Sequence, residues 1–562
     1  MELYQRFLTE RTDENGRLIG VDYHVPETYN FGFDVVDCFG RTEPDRKAMI
    51  WTSDEEEHTF TFGDIMKLSA KACNYFISLG LRKGDKVLLV LRRHWEFWVI
   101  ITALHKLGAI VIPATDQLKE KDFVYRFNAA EVRAVVCTNF GGVLDEAERA
   151  ARKCDCVQIK IAVDGTHKGL TFGANSERLD CLKNGWHNYN EEVQSFSEVY
   201  ERPTDGSAPM RDEPMLMYFT SGTTAYPKIA LHEHTYSLAH FITAKWWHNV
   251  QKDGIHFTVA ETGWGKAVWG KLYGQWLCGA CIFTYDFDRF EQSKLLGMIE
   301  KHRITTFCAP PTIYRFMIKA DLSKFDLSSL KYITTAGEAL NPEVYNKLKE
   351  ATGLSIMEGF GQTETTLTIA NLTGAVPKAG SMGKSTPIYD MRLVDGDGND
   401  VETGTAGEIC IDISGGRPYG LFREYYRNPE ETAKAMHDGL YHTGDMAWRD
   451  EDGYMFFVGR TDDIIKSSGY RIGPFEIESV LMEHPAVLEC AVTGVPDPVR
   501  GQIVKATIVL TKGYEASDEL KSEIQTYVKK ATAPYKYPRI IDFVDELPKT
   551  ISGKIRRTEL RK

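Results

Sequence analysis

The feature that most constrains this chain is an alternation, sustained over its first several hundred residues, of strand-like apolar runs with segments of helical spacing. Ile65, Leu68, Ala72, Phe76 and Leu79 share a helical face, Gly80 ends the helix, and KVLLVL from Lys86 reads as a strand. A helical stretch from Trp95 to Leu107 leads into GAIVIPA, and a later helix ending near His302 leads into ITTFCAP. This pattern predicts an α/β architecture. Beyond Gly459 the elements shorten to strands near Leu488 to Gly494 and Ile503 to Leu510 and a helix near Leu520 to Ala531. They predict a small α+β domain of about a hundred residues. The expected division is a large multi-subdomain N-terminal domain with mixed sheets and helices over 1–460, then a small mobile domain over 461–562, with the boundary in GRTDD.

The chain has 562 residues, 43% of them hydrophobic, enough to bury a large core. Its most apolar stretch, Phe97 to Ala114, is interrupted by His105 and Lys106, so no integral membrane association is expected. Residues 1–16 are charged throughout and show neither a secretory signal nor a transit peptide. The eleven cysteines lack the spacing of a disulfide scaffold, which points to a reducing, cytoplasmic setting. The CxxC from Cys278 to Cys281 has no second ligand pair nearby and reads as small residues packing a buried strand. A net charge of −12 argues against nucleic-acid binding. Yet Lys521 to Lys562 hold eleven basic against five acidic residues, a +6 tail that suits either a solvated helix face or a phosphate-rich small ligand.

Thr220-Ser-Gly-Thr-Thr-Ala-Tyr-Pro-Lys228 follows the apolar run MLMYF and packs four Ser/Thr hydroxyls, a glycine and a lysine into nine residues. Such a loop can present N–H groups, hydroxyls and a cation to a polyphosphate, and it is not a GxxxxGK[ST] loop. A Ser/Thr-rich turn without a ligand is the plain alternative.

This segment resembles the signature loop of the adenylate-forming superfamily: acyl- and aryl-CoA ligases, peptide-synthetase adenylation domains and beetle luciferases. The resemblance continues in order through ITTAGEAL (333–340), EGFGQTET (358–365), YHTGDMA (441–447), GRTDDIIKSSGYRIGPFEIE (459–478) and PKTISGKIRR (548–557). Gln117, Pro496-Asp-Pro-Val-Arg500-Gly and Tyr535-Lys-Tyr-Pro-Arg539 further resemble the medium-chain acyl-CoA synthetase branch. One departure is Ala225, where the family usually has glycine.

The resemblance implies ATP, Mg²⁺ and CoA as reaction partners and assigns residues residue by residue. Ser221, Gly222, Thr223, Thr224, Ala225, Tyr226, Pro227 and Lys228 would follow Thr220 around the phosphates. Gly337, Glu338 and Ala339 would face adenine against Glu358, Gly359, Phe360 and Gly361, with Gln362 also at the nucleotide. Asp445 would bind the ribose, with Arg460 near the ribose and α-phosphate. Thr363 matches the α-phosphate contact, Glu364 the metal carboxylate, and Lys554 the lysine that stabilises adenylate formation. Asp462 holds the hinge position. After domain rotation Gly469 would line the pantetheine passage between Ser468 and Tyr470, and Arg471 would lie near the phosphate or acyl carbonyl. Gln117, Arg500, Tyr537, Pro538 and Arg539 would meet CoA.

Trp264, Lys266, Trp269 and Cys308 fall where relatives have acyl-pocket walls, although core aromatics explain them equally. In acetate-specific relatives a tryptophan closes the pocket at the position that here is Gly361. A pocket opened by that glycine and narrowed by Trp269 implies a short-branched or medium-chain fatty acid. Alternatives are an aryl-CoA ligase resembling benzoate enzymes, an enzyme loading a carrier protein, a non-catalytic nucleotide-binding regulator and a luciferase-like oxidase. A homodimer is compatible with the family.

Overall fold

The computed structural model describes residues 2–165, 185–220, 227–337, 340, 342–468, 470–549 and 555–561, with the backbone alone at 342, 343 and 471. Four large sheets carry the fold, three in the large N-terminal part and one in the small C-terminal domain.

The first has eight strands in the order Glu424–Tyr425, Lys228–Glu233, Pro214–Thr220, Ile110–Pro113, Lys86–Val90, Ala134–Thr138, Ile159–Val163 and Trp186–Asn188. Six of these run parallel, and Lys228–Glu233 and Glu424–Tyr425 add an antiparallel edge. Parallel strands are covered on both faces, which explains why KVLLV and IVIP read as unbroken apolar runs. The second sheet, of nine strands, holds Ile356–Gly361, Tyr332–Ala336, Thr306–Cys308, Ile255–Thr258, Cys281–Asp286 and Lys47–Ser53 in parallel, with antiparallel strands at both edges.

The helix predicted around Ile65 to Leu79 spans Phe62–Ser78. Thr61 caps it, accepting from the Asp64 N–H while the Asp64 carboxylate accepts from the Thr61 N–H, a capping box the sequence reading passed over. The apolar stretch that begins at Phe97 forms Glu96–Leu107, buried along its whole length and closed by Gly108 at φ 70°. Its polar interruptions are buried with partners. Lys106 Nζ lies 2.5 Å from an Asp37 oxygen and donates to Ser69 Oγ at 2.8 Å, and His105 Nε2 meets the Tyr273 hydroxyl at 2.8 Å. Removing one partner of the Lys106–Asp37 ion pair costs about 3–5 kcal/mol, so it fixes the helix register alongside the apolar side chains. Among the described residues no helix is long and apolar enough to cross a membrane.

The third sheet is antiparallel: Met391–Val394, Gly407–Asp412, Leu440–Arg449 and Met436–His437, with Met455–Arg460 also paired to Leu440–Arg449. The fourth contains Tyr470–Ile472, Ile465–Ser467, Gly501–Leu510, Val487–Asp497 and Ile540–Val544. Helices Pro474–Met482 and Asp518–Ala531 bury Ile477, Leu481, Ile524 and Val528 in that sheet's own core. Cys278 and Cys281 are buried, and burial pushes both thiols up to about 12, as packing residues require.

Candidate active site

The loop following MLMYF is a hairpin connection. Thr220 ends Pro214–Thr220 directly opposite Lys228, the first residue of Lys228–Glu233. Ser221, Gly222, Thr223, Thr224, Ala225 and Tyr226, the body of that loop, lie outside the described residues, as do Glu338, Ala339, Gly469 and Lys554. Pro227 is anchored by its carbonyl, which accepts from Tyr125 Oη at 2.8 Å. Lys228 Nζ sits 2.5 Å from Glu431, whose carboxyl is held below its usual range by this contact, and 4.8 Å above the Tyr425 ring. The cation expected for phosphate thus has a protein counter-ion of its own.

Tyr425 also ties this corner to the metal-carboxylate candidate, donating to Glu364 Oε1 at 2.8 Å. The backbone at Glu364 accepts from Phe422 N at 2.7 Å, and that at Thr363 from His232 Nε2 at 2.8 Å. Burial pulls His232 down to about 3 against the opposing pull of the Thr363 carbonyl, so the ring stays neutral.

Asp445 is placed by a break in pairing. The ladder between Gly407–Asp412 and Leu440–Arg449 slips between Glu408 and Cys410, and Gly444 at φ 71° turns the chain there. Bulges re-aim side chains at functional sites, and this one delivers a buried Asp445 beside Gln362. Gln362 Nε2 donates to Asp445 Oδ2 and to the Thr443 carbonyl at 2.8 Å, while Tyr441 donates to Gln362 Oε1 at 2.7 Å. Arg460, opposite Asp445 on the neighbouring strand, brings Nε to 3.8 Å from Asp445 Oδ1 and 3.6 Å from Asp462 Oδ1. Gln362, Glu364, Asp445 and Arg460 therefore share one polar wall.

Phe360 and Phe457 face each other with ring centroids 6.1 Å apart, and Gly337 follows Tyr332–Ala336 at φ 99°, a conformation suited to glycine. Glu358 is buried, which pushes its carboxyl up to about 8, so it is largely protonated at neutral pH.

Of the acyl-pocket candidates, Trp269 lies against Gly361. A Cβ there would lie 2.4 Å from the Thr366 carbonyl oxygen and 2.5 Å from Trp269 Cη2, so the indole occupies the space that a side chain would need. Trp269 donates Nε1–H to the Tyr236 hydroxyl at 3.0 Å. A Cβ at Gly359 would likewise strike Trp247, at 2.7 Å. Trp264 caps the helix Gly265–Lys271, Lys266 donates to the Ala336 carbonyl at 2.6 Å, and Cys308 is buried in the same core cluster as Trp269.

The CoA candidates split. Arg500 donates to Ser468 Oγ at 3.2 Å, and Tyr470 stacks on Tyr535 at 4.1 Å, joining the hairpin to the segment of Tyr537 and Pro538. Arg539 folds onto Tyr537, donating to its hydroxyl at 3.0 Å. Gln117 lies in the large domain with its N–H on the Thr115 hydroxyl, and no contact joins it to that group among the described residues. The side chain of Arg471 is outside them. Much of the basic tail is internally neutralised: Lys536, Lys549, Arg557 and Arg561 pair with Glu476, Glu489, Glu478 and Asp463. Sequence reasoning missed Tyr425, Glu431 and Tyr441. Tyr441 stood inside a quoted motif, whereas Tyr425 and Glu431 gave no signal because their roles depend on folding next to Glu364 and Lys228.

The AMP-binding enzyme family matches residues 37–426, and the AMP-binding enzyme C-terminal domain matches residues 476–554. The chain belongs to the AMP-binding enzyme family. Among relatives of this AMP-binding enzyme, Acyl-coenzyme A synthetase ACSM3, mitochondrial, of Homo sapiens is 39% identical, with 96% of this chain and 90% of the relative covered. Acyl-coenzyme A synthetase ACSM4, mitochondrial, of Mus musculus is 40% identical, with 96% and 91% covered. The anthranilate CoA ligase AuaEII, solved in complex with anthranoyl-AMP, aligns at a TM-score of 0.83 and 28% identity, covering 96% of this chain and 97% of that one. A benzoate CoA ligase from Burkholderia xenovorans LB400 aligns at 0.79 and 25%, covering 95% and 100%.

Proposed function

We propose that this AMP-binding enzyme is an acyl-CoA synthetase: a carboxylate attacks the α-phosphate of ATP to give acyl-AMP and pyrophosphate, and the CoA thiol then takes the acyl group and releases AMP. The observation that carries this reading is the polar wall of Gln362, Glu364, Asp445 and Arg460 in a chain 39–40% identical over 96% of its length to proteins named acyl-CoA synthetases. Asp445 accepts from the ribose hydroxyls, with Gln362 orienting it, and Arg460 screens charge near the α-phosphate. Lys228 exchanges Glu431 for phosphate, and Lys554 stabilises the transition state of the first step. Glu364 suits Mg²⁺ as a hard oxygen ligand with one oxygen already oriented by Tyr425, and the ion supplies neutralisation of phosphate charge.

The second step needs the thiol where Lys554 stood. We assign domain alternation about Asp462, between 1–460 and 461–562, which exchanges Lys554 for the Gly469 passage. Ser468, Tyr470, Arg471, Arg500, Tyr537, Pro538, Arg539 and Gln117 then receive CoA. The contact of Trp269 with Gly361 favours a short-branched or medium-chain acid. The aryl-CoA and carrier-protein readings are not favoured. We keep the cytoplasm as compartment, although these relatives are named as mitochondrial, and a homodimer as assembly.

A coupled assay over an acid panel, recording AMP with and without CoA, tests the reading. Turnover to AMP should depend on both a medium-chain acid and CoA, with the thioester as product. AMP release unchanged by CoA across the panel overturns it.

A further inference from the structure

The third sheet turns Ile409 and Ile411 into its core, so strand alternation puts Glu408 and Cys410 on the opposite face. Cys410 lies directly across the ladder from His442. Three unlike donor atoms converge there. Cys410 Sγ is 3.4 Å from His442 Nδ1, His442 Nδ1 is 3.1 Å from Glu408 Oε2, and all three atoms lie within 4.8 Å of one another.

This is not the geometry of a proton relay, in which nucleophile and carboxylate use opposite nitrogens of the ring. Thiol and carboxylate here both face Nδ1, while Nε2 is buried without a hydrogen-bond partner. Tetrahedral zinc with bonds of about 2.0–2.3 Å keeps its ligand atoms roughly 3.3–3.7 Å apart, close to the two separations seen from His442 Nδ1. The second oxygen of Glu408 is already oriented, accepting from Gly444 N at 2.9 Å, and the His442 ring is braced by His437, stacked at 3.9 Å and 11°. Such outer contacts are what hold ligands in place before an ion arrives.

We propose that Glu408, Cys410 and His442 bind a divalent transition-metal ion of the zinc class, with a fourth position open to water. Thiolate, imidazole and carboxylate together select zinc or cobalt over magnesium. Binding forms one sulfur–metal bond and releases the Cys410 thiol proton to solvent. None of the three residues carries a role in the adenylate or thioester steps proposed above, so the site is additional to the one proposed at Glu364.

The test is titration of chelator-stripped full-length protein with Co²⁺ alone. One equivalent should bind with a thiolate-to-cobalt band in the near ultraviolet, displaced by Zn²⁺ and not by excess Mg²⁺. Cys410→Ala should abolish the band. Glu408→Gln keeps an oxygen for Gly444 N–H and so guards the fold, and together with His442→Asn it should weaken binding beyond the roughly 10–100-fold typical of outer contacts. Absence of saturable Co²⁺ and Zn²⁺ uptake, or a band that survives Cys410→Ala, overturns the proposal.

Discussion

On the proposed nucleotide side of the site, Asp445 is positioned by Gln362, whose carbonyl is fixed in turn by Tyr441. On the proposed acyl side, Trp269 is positioned by a missing side chain at Gly361 and by the hydrogen bond its indole donates to Tyr236. One wall is specified by polar groups that must be satisfied and the other by volume. The two should therefore fail differently: a polar wall loses affinity when a partner changes, whereas a packed wall loses its shape and with it the fold around it.

The largest effect should come from Gly361→Trp. Even a methyl group would collide with Thr366 and Trp269, so an indole should destabilise by several kcal/mol, visible as a collapse of the thermal melt. Trp269→Ala should cost about 3–5 kcal/mol and move preference toward longer acids by roughly ten- to two-hundred-fold. Combining the two removes the clash with the indole but not the one with the Thr366 carbonyl, so the double variant should recover only part of the melt. A normal melt for Gly361→Trp alone would mean that this wall is not set by volume, and an unchanged chain-length profile for folded Trp269→Ala would remove Trp269 from the pocket.

A smaller, purely functional effect is expected for Asp445→Asn, which keeps the shape and removes the charge. Loss of a charged hydrogen bond is worth about 1.5–3 kcal/mol, so KM for ATP should rise roughly ten- to hundredfold with little change in melting. An unaltered KM would detach Asp445 from the nucleotide. A further effect is read by pH and touches neither wall directly. Glu358 has its carboxyl raised to about 8 from an ordinary value of 4.5, so over that window the folded chain holds a proton that the unfolded chain releases. Stability should fall as pH rises through the window, and Glu358→Gln should flatten that slope. An equal slope in both proteins would show that Glu358 is not the titrating group.

The fold class was legible because its signal is local, unbroken apolar runs marking buried parallel strands; Asp445 and Glu364 were named only through the resemblance of their compact motifs, and their meeting in one polar wall came from the structure. The acyl wall was half legible. Gly361 and Trp269 could be named separately, but that the ring of one fills the space beside the other is a contact across 92 residues of chain that no spacing encodes. Glu431, the counter-ion of Lys228, was silent for the same reason. The basic tail read correctly as charge and incompletely as chemistry, because Lys536 and Arg557 meet carboxylates brought close only by the small domain's own packing.

Arg460 stands between Asp445 and Asp462 with one guanidinium within 4 Å of both carboxylates. A shared counter-ion makes its two anions rivals: whatever draws Arg460 toward one loosens the other, and the strength of that trade is the same read in either direction. If the small domain turns about Asp462, an occupant that engages Arg460 from the nucleotide side also changes how firmly that joint is held.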